Sequence, residues 1–282
     1  MGTDINVNKN NTYAELYQDL NEGQRQALLA PTNCVLQVLA GPGTGKTKLL
    51  TAKVAYLLLH EKINPEKLIF TTFTRKAANE MKDRLSHVLQ PYSADINGLF
   101  LGTFHSICFR ILKNHGRQIG LDQVKLKYIS ENDSKKLLKE ILENKDLGTD
   151  GSTYKEDRGR GLKVKLNDIN FFKDYISKFT AKNRYSTEVP TKGKCDAVFL
   201  DVYDEYQRAL SRACSVDDDH CLLYTSKLLT NNPSIGKQFD CVLVDEFQDT
   251  NLVQMDLMYK LARKNHLTIV GDPDQKESQL SK

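Results

Sequence analysis

The residue types best suited to chemistry form a glycine-rich stretch that reads Ala40-Gly41-Pro42-Gly43-Thr44-Gly45-Lys46-Thr47. Glycines let backbone N–H groups converge on phosphate oxygens, and a helix that starts behind them adds partial positive charge. Lys46 would reach the outer phosphates, and the hydroxyl of Thr47 would hold Mg²⁺. The pattern predicts a Walker A loop rather than a glycine-rich turn without a ligand. The residues predicted to contact the nucleotide here are Gly41, Gly43, Thr44, Gly45, Lys46, Thr47 and Lys48.

Two adjacent carboxylates, Asp245 and Glu246, follow the apolar run Val242-Leu243-Val244. In P-loop enzymes a carboxylate at the end of a second strand supports Mg²⁺, which predicts that role for Asp245. Glu246 would accept a proton from the attacking water as a general base. A solvated strand end is the alternative for such a pair taken alone, and the Walker A loop upstream favours the catalytic role.

Aromatic, hydroxyl and imidazole side chains follow two further apolar runs. They are Phe73, Thr74, Thr103, Phe104 and His105. Ligands of open parallel sheets bind at the carboxyl ends of the strands. Single-stranded nucleic acid could stack its bases on the rings there and bond its phosphates to the hydroxyls and the imidazole. Packing in the core is the alternative for either phenylalanine, and a structural role is the alternative for His105.

A third group of polar residues, Asp217-Asp218-Asp219-His220, has side chains of the kinds that bind metals. Clusters of this kind more often form a solvated loop or the N-terminus of a helix. We therefore predict no metal ligands in this segment.

Short apolar runs alternate with helical patterns in the first third of the chain, and strands return near its end. This arrangement predicts an α/β fold with a parallel sheet and an inserted, mainly helical lobe. Thr74 is the predicted N-cap of the second helix. Strands are predicted at 34–39, 68–73, 99–104, 239–244 and 267–270, helices at 46–60, 75–89, 106–113 and 133–144, and a flexible loop at 146–160.

The distribution of charge separates the middle of the chain from the rest. Residues 113–200 hold 19 Lys and Arg against 13 Asp and Glu, whereas the whole chain has a net charge of only +4. A basic excess suits a polyanion such as DNA, and a solvated face is the alternative. We predict that residues 1–112 and 201–282 are two parts of one nucleotide-binding domain and that residues 113–200 form an inserted basic lobe.

The composition excludes several classes of protein. With 40% hydrophobic and 27% charged residues, the chain is neither collagen-like nor disordered throughout. No apolar run approaches the roughly 18 residues of a membrane span, and residues 1–11 lack the apolar region of a secretory signal. Six cysteines without a C-x-x-C pair favour a reducing, intracellular compartment.

Six ordered motifs resemble those of superfamily 1 DNA helicases of the UvrD/Rep/PcrA type. They are Leu20-Asn21-x-x-Gln24, the Walker A loop, Thr72-Phe73-Thr74-Arg75-Lys76-Ala77-Ala78-Asn79-Glu80-Met81, Gly102-Thr103-Phe104-His105-Ser106, Asp245-Glu246-Phe247-Gln248-Asp249-Thr250 and Gly271-Asp272-Pro273-Asp274-Gln275. The resemblance implies that Gln24 reads the adenine edge and that Phe73 faces DNA. It also implies that Gln275 senses the γ-phosphate, that Gln248 joins the same polar network, and that Gln275 acts in catalysis with the Walker lysine and the two carboxylates.

The resemblance implies a RecA-like P-loop fold and the first motor domain of a 3′-to-5′ single-stranded DNA translocase or helicase that uses ATP and Mg²⁺. The expected partners are single-stranded DNA, junctions of single- and double-stranded DNA, and recombination or repair proteins. The sequence around the Walker loop and at residues 103–112 is most similar to that of eukaryotic anti-recombinase helicases of the nucleus. This resemblance implies a nuclear location.

The chain ends at Lys282, shortly after the sixth motif, where family members continue into a second motor domain. We therefore expect the chain to bind nucleotide and DNA, to hydrolyse ATP at most in traces, and not to unwind DNA by itself. Two alternatives stay open, a subunit of a helicase–nuclease and a fragment that binds nucleotide or DNA without turnover.

Overall fold

The computed structural model describes residues 18–145, 153–155, 163–165, 169–188, 194–262 and 266–272. They divide into two compact units. The sheet unit takes the described residues of Met1–Thr103, Gln238–Asp249 and Lys264–Lys282, and the helical unit takes those of Phe104–Lys237 and Thr250–Arg263. The domain limits at residues 112 and 200 stay a prediction.

The sheet unit contains five parallel strands, which confirms the predicted α/β class. Numbered along the whole chain, they are β1 (Val35–Leu39), β2 (Leu68–Thr72), β3 (Phe100–Thr103), β8 (Cys241–Val244) and β9 (His266–Gly271). They lie in the order β1-β9-β8-β2-β3. Every residue of β2 and β8 is buried, because central strands of a parallel sheet are covered on both faces.

Three helices belong to the sheet unit: α1 (Glu22–Leu29), α2 (Lys46–Leu59) and α3 (Arg75–Leu89). The hydroxyl of Thr74 accepts a hydrogen bond from the backbone N–H of Ala77, so Thr74 is the N-cap of α3 as predicted. The apolar residues of α3 recur on one face and are buried against α2, β2 and β8. The shared core includes Leu50, Val54, Phe70, Met81, Leu85 and Leu243.

The helical unit contains the remaining helices and two short strand pairs. The helices are α4 (Phe104–His115), α5 (Glu131–Asn144), α6 (Ile169–Thr180), α7 (Lys194–Arg212), α8 (Asp218–Asn231), α9 (Pro233–Gly236) and α10 (Leu252–Leu261). Strand β4 (Lys127–Tyr128) pairs with β7 (Ser215–Val216), and β5 (Thr153–Lys155) pairs with β6 (Lys163–Lys165). The core of α5, α6 and α7 is built from apolar side chains such as Leu138, Phe172 and Tyr203.

Two sequence predictions about this unit need comment. The helix predicted at 106–113 begins two residues earlier, at Phe104, because it follows β3 without a connecting loop. The flexible loop predicted at 146–160 lies outside the described residues except for β5. In the part of the chain that the structure describes, no helix has both the length and the apolar character needed to cross a membrane.

Candidate active site

The glycine-rich stretch forms the loop between β1 and α2, and we call residues 40–45 the phosphate loop. The backbone N–H of Ala40 donates to the carbonyl of Gly271 at 3.1 Å, which fixes the start of the loop to β9. Gly43 and Gly45 adopt φ values of 73° and 86°, a region that disfavours residues with a Cβ. A Cβ on Gly45 would also lie 2.9 Å from Nε2 of Gln24. Both the positive φ and this close approach therefore favour glycine at position 45.

The N-terminus of α2 opens directly behind the phosphate loop. Gly45 is its N-cap residue and supplies no side-chain hydrogen bond to the first turn. The N–H groups of that turn and the partial positive charge of the helix end form an anion site. Apart from the chain neighbours of Gly43, no atom of the described residues lies within 4 Å of the position that a Cβ on this glycine would occupy, so the loop backbone is open to a ligand at this point.

Lys46 and Glu246 bring the phosphate loop and the carboxylates together. Their side chains form an ion pair, with 3.2 Å between Nζ of the lysine and Oε2 of the glutamate. The lysine side chain is 10% exposed and the glutamate side chain 37% exposed. The predicted phosphate-binding cation and the predicted general base therefore lie in contact in this structure.

Asp245 and Glu246 follow β8 with unusual backbone geometry. Glu246 has a φ of 52°, a left-handed conformation that is rare for a residue with a side chain. Its backbone N–H donates to Oδ1 of Asp245 at 3.0 Å. Burial, together with the neighbouring Glu246 carboxylate, raises the pKa of Asp245 to about 6. Strained backbone and a shifted carboxyl at one point mark this turn as functional.

The donor set fits Mg²⁺ in kind. A carboxylate from Asp245 and a hydroxyl from Thr47 are oxygen ligands, which Mg²⁺ prefers. Among the described residues, no group of three or more His, Cys, Asp or Glu side chains could enclose a metal. Mg²⁺ is commonly held through one or two protein groups together with substrate phosphates and water.

Gln248 connects the general base to β9, as the predicted polar network requires. Its Nε2 donates to Oε2 of Glu246 at 2.6 Å, and its Oε1 accepts from the backbone N–H of Asp272 at 3.0 Å. A Cβ on Gly271 would lie 2.8 Å from that same Oε1, so the glycine leaves room for the glutamine. Gln275 lies outside the described residues, and its role stays a prediction.

Gln24 lies at the start of α1 and touches the phosphate loop. Its Oε1 accepts from the backbone N–H of Asn21 and its Nε2 donates to the carbonyl of Thr44, at 3.0 and 2.9 Å. The Asn21 side chain in turn accepts from the Gln24 backbone, which completes a capping box. The amide keeps one hydrogen and one lone pair beyond these bonds for a ligand such as adenine.

A cavity of about 510 Å³ lies between α2 and α3 in the sheet unit. Lys48 lines it and donates to the carbonyl of Asp19 at 2.9 Å. Sequence analysis did not identify Arg84 and His87, which line the same cavity from α3. Their spacing places them on one face of the helix, but nothing in the sequence shows that this face meets a cavity. The remaining lining residues are Asp19, Thr51, Ala52, Val88, Pro91 and Tyr92.

Phe73 is the clearest candidate for a contact with a nucleobase. It follows the last residue of β2, and its side chain is 55% exposed. Its exposed ring, at the carboxyl end of a strand where ligands of open parallel sheets bind, is free for a base to stack on. Thr74 next to it is exposed as well, although its hydroxyl already caps α3.

The structure corrects the prediction for Phe104, which is only 7% exposed as the first residue of α4. A ring that is this buried leaves almost no face for a base, so the alternative of core packing is favoured. Thr103 is also buried, at 8% exposed. His105 is half-buried, and a contact between its side chain and DNA stays a prediction.

The acidic segment before β8 forms the buried start of a helix rather than a solvated loop. Asp217 is the N-cap of α8 and is 2% exposed. Its carboxylate accepts from Lys173 and Tyr206, each at 2.8 Å, and Nδ1 of His220 lies 2.8 Å away. The helix N-terminus was one of the two predicted alternatives, and the burial was missed because Lys173 and Tyr206 are distant in sequence. We call these four residues the Asp217 network.

Several lysines of the helical unit form local ion pairs. Among its described residues, seven pair with carboxylates of the same unit: Lys125, Lys135, Lys136, Lys139, Lys145, Lys173 and Lys260. The basic excess of residues 113–200 already subtracts the carboxylates of that segment, so pairing within it leaves the net charge unchanged. DNA binding by this segment stays a prediction.

Comparisons with known proteins agree with one another. Residues 20–276 match the model of the UvrD/REP helicase N-terminal domain. The chain is 40% identical over 280 residues to ATP-dependent DNA helicase SRS2 of Saccharomyces cerevisiae, covering 94% of this chain and 24% of the relative. It is 34% identical over 266 residues to ATP-dependent DNA helicase PcrA of Bacillus subtilis, covering 93% and 34%. The chain therefore spans about a quarter to a third of the length of these relatives.

Proposed function

Because the chain belongs to the UvrD/REP helicase family, whose N-terminal domain it matches over residues 20–276, we propose that it is the ATP-binding domain of a DNA helicase. The observation that carries this proposal is the anion site at the start of α2, with Lys46 in contact with a carboxylate that follows β8. The activity, substrates and partners of the whole protein are part of the proposal.

The residues of the site divide the work between binding and proton transfer. Bound ATP and Mg²⁺ would supply the phosphoryl group and the charge that neutralises it. The phosphate loop and the first turn of α2 bind phosphate oxygens through backbone N–H groups, and Lys46 adds a cation. Asp245 and Thr47 offer oxygen ligands to the metal. Glu246 accepts the proton of the attacking water, and Gln248 positions its carboxylate.

The ion pair between Lys46 and Glu246 implies an exchange of partners on binding. A phosphate that reaches Lys46 competes with Glu246, because both are anions that the ammonium can satisfy. The glutamate then loses one of its two hydrogen-bond donors and keeps Gln248. Nucleotide binding thus releases the Glu246 carboxylate from Lys46. The carboxylate can then accept a proton from the attacking water.

The cavity between α2 and α3 is the proposed site for the base and the ribose. It is lined by Lys48, Thr51 and Ala52 from the first turns of α2 and by Arg84 from α3. Gln24 would read the adenine edge from the start of α1. Mixed polar and apolar lining suits a nucleoside, which needs a surface to stack on and a few hydrogen bonds.

Single-stranded DNA is the proposed nucleic-acid ligand, with Phe73 as the stacking residue and Thr74 and His105 as phosphate contacts. Movement in the 3′-to-5′ direction, action at junctions, and repair or recombination partners in the nucleus rest on the family resemblance. The names of the relatives support the helicase activity itself, since SRS2 and PcrA are both described as ATP-dependent DNA helicases.

Nucleotide binding is tested by titration with a fluorescent ATP analogue in the presence of Mg²⁺. Replacing Lys46 with Ala removes a charge-assisted hydrogen bond and should weaken binding about 10- to 100-fold. Lys82→Ala is the matched control, because this lysine is exposed on α3. Equal affinity of the two variants would refute the phosphate site.

Turnover is tested separately, by ATP hydrolysis with and without single-stranded DNA. Glu246→Gln should abolish hydrolysis while nucleotide binding is kept, because the amide cannot accept the proton. Binding by the wild-type chain without any hydrolysis would instead favour the alternative of a non-catalytic binding domain.

A further inference from the structure

Lys53 is a buried lysine for which the proposed mechanism has no role. It lies on α2, seven residues after the lysine of the phosphate site, and its side chain is 1% exposed. Lysine is among the residues that are least often buried completely, because its ammonium loses water. Burial lowers the pKa of Lys53 to about 8. A group that is this costly to bury needs compensating contacts.

The ammonium of Lys53 finds these contacts at the end of α1. Its Nζ donates to the carbonyls of Leu28, Ala30 and Ala27, at 2.7, 3.1 and 3.3 Å. The last carbonyls of a helix have no partner within the helix and carry its partial negative charge. The last turn of α1 contains no basic residue of its own. Lys53 therefore supplies both the missing donors and the missing cation.

The opposite end of α1 carries Gln24, whose Nε2 donates to the Thr44 carbonyl in the phosphate loop. Helix α1 is thus fastened at both ends to one continuous segment, the phosphate loop and α2. It has only eight residues, and helices of that length are not stable in water without tertiary contacts. Leu28 of α1 also packs against Leu49 and Ala52 of α2. The orientation of Gln24 therefore depends on this apolar contact and on the two polar attachments.

We propose that Lys53 is a positioning residue for recognition of the nucleotide base: it holds the C-terminal end of α1 against α2 so that Gln24 stays at the phosphate loop. This inference rests on the proposed function, and specifically on Gln24 as the contact to adenine. It assigns no contact between Lys53 and the ligand. Loss of the Lys53 ammonium should therefore weaken binding of the nucleotide base. The phosphate chain keeps its own contacts at the start of α2.

The distinction between base and phosphate provides the experiment. Isothermal titration in the presence of Mg²⁺ compares ATP with inorganic tripolyphosphate, which carries the phosphate chain without base or ribose. Lys53→Met keeps the length and the apolar stem of the side chain and removes the ammonium. It should weaken binding of ATP about 3- to 10-fold, the value of roughly one hydrogen bond, and that of tripolyphosphate less than twofold.

Four further variants complete the test. Lys53→Arg keeps a cation that can bond several carbonyls, and should bind ATP within about twofold of the wild type. Lys82→Met repeats the substitution on the exposed face of α3 and should change neither ligand. Gln24→Ala should lower the ratio of ATP affinity to tripolyphosphate affinity, as Lys53→Met does. The double variant Lys53→Met/Gln24→Ala should lose no more ATP affinity than Gln24→Ala alone, because both changes act through the same amide.

The outcomes separate this inference from the proposed function. Equal weakening of both ligands by Lys53→Met, or no rescue by Lys53→Arg, would show that the lysine only stabilises the sheet unit and would overturn the inference. If Gln24→Ala leaves the ratio of ATP affinity to tripolyphosphate affinity unchanged, Gln24 does not contact the base as the proposed function states. The inference that Lys53 acts by positioning Gln24 would then fail as well. Thermal melting of each variant, followed by circular dichroism, sets a temperature at which all are folded.

Discussion

Each of the two units contains a lysine–carboxylate pair with a largely buried lysine, and the two pairs differ in the exposure of the carboxylate. In the sheet unit, Lys46 lies 3.2 Å from Glu246, whose side chain is 37% exposed. In the helical unit, Lys173 lies 2.8 Å from Asp217, whose side chain is 2% exposed. The lysine side chains are similar, at 10% and 14% exposed, so the carboxylate makes the difference.

The number of partners explains what each pair can do. The Asp217 carboxylate accepts from Lys173, Tyr206 and the backbone N–H of His220, and the His220 ring lies beside it. Glu246 has Lys46 and Gln248 on a single oxygen. A buried carboxylate with all its lone pairs satisfied is part of the structure, whereas a half-exposed one can release a partner to a ligand.

The largest effect that this comparison predicts is on stability, from replacing Asp217 with Asn. The change leaves the Lys173 ammonium in the interior without its main counter-charge, a loss of about 3–5 kcal/mol in the free energy of unfolding. Chemical denaturation followed by far-UV circular dichroism measures it, since the chain contains no Trp. Asp174→Asn on the exposed face of α6 is the control. A loss below about 1 kcal/mol, the range of exposed pairs, would remove the contrast between the units.

Acid should act on the helical unit through the same carboxylate. Burial alone would raise the pKa of Asp217, but His220 and Lys173 outweigh it and hold this pKa well below its ordinary value of 3.8. A carboxyl whose pKa is lower in the folded state stabilises the fold above its unfolded pKa, and this stabilisation is lost as the pH falls further. The loss is at most about 1.4 kcal/mol per pH unit for one proton.

Denaturation of the wild type and Asp217→Asn between pH 6 and pH 2 tests this second prediction. The difference in stability between the two proteins should shrink as the pH falls below about 4, because the Asp217 carboxyl of the unfolded wild type then takes up a proton while that of the folded protein stays ionised. A difference that stays constant over this range would mean that another group causes the acid sensitivity.

The contrast between exposed and buried groups extends to an aromatic side chain. Replacing Phe73 with Ala should hardly change stability, because its ring is 55% exposed, but should weaken single-stranded DNA binding by about 1–3 kcal/mol. Stacking is not a counterion effect, so the loss should be similar at low and physiological salt. Fluorescence anisotropy with labelled oligothymidine measures it. A loss that disappears at higher salt would identify the residue's effect as electrostatic.

The smallest predicted effect concerns the exchangeable pair. Glu246→Gln removes the anion that competes for Lys46, so nucleotide should bind more tightly, by up to about fivefold for a pair worth about 1 kcal/mol or less. Stability should change by a similarly small amount. Titration of the fluorescent ATP analogue into both proteins decides the matter, and weaker binding by the variant would mean that Glu246 helps to hold the ligand.

Sequence reasoning identified the parts of the site that depend on local order. The phosphate loop, the carboxylates after β8 and the cap at Thr74 are each specified by a few consecutive residues, and the parallel sheet follows from the alternation of strands and helices. The contact between Lys46 and Glu246 could be expected, because parallel strands end at the same edge of the sheet.

The features that sequence reasoning missed depend on residues that are distant in the chain. Lys53 lies in a helix that is apolar on most sides, and the sequence does not show which lysine of that helix points inward. Lys173 and Asp217 are 44 positions apart, so neither predicts the other. Phe104 has the same sequence context as Phe73, a position directly after a strand, and only the packing of α4 distinguishes a buried ring from an exposed one.

The strand order has a consequence for the way the chain is made. Within the described sheet, β1 pairs only with β9, and Val35 lies opposite Leu267. A ribosome therefore releases β1 long before its partner, and long-range parallel pairing is slow even in a complete chain. We expect the nucleotide site to mature late in synthesis, because Ala40 is fixed by Gly271. Pulse-labelled hydrogen exchange during refolding should show protection of β2 and β3 before that of β1.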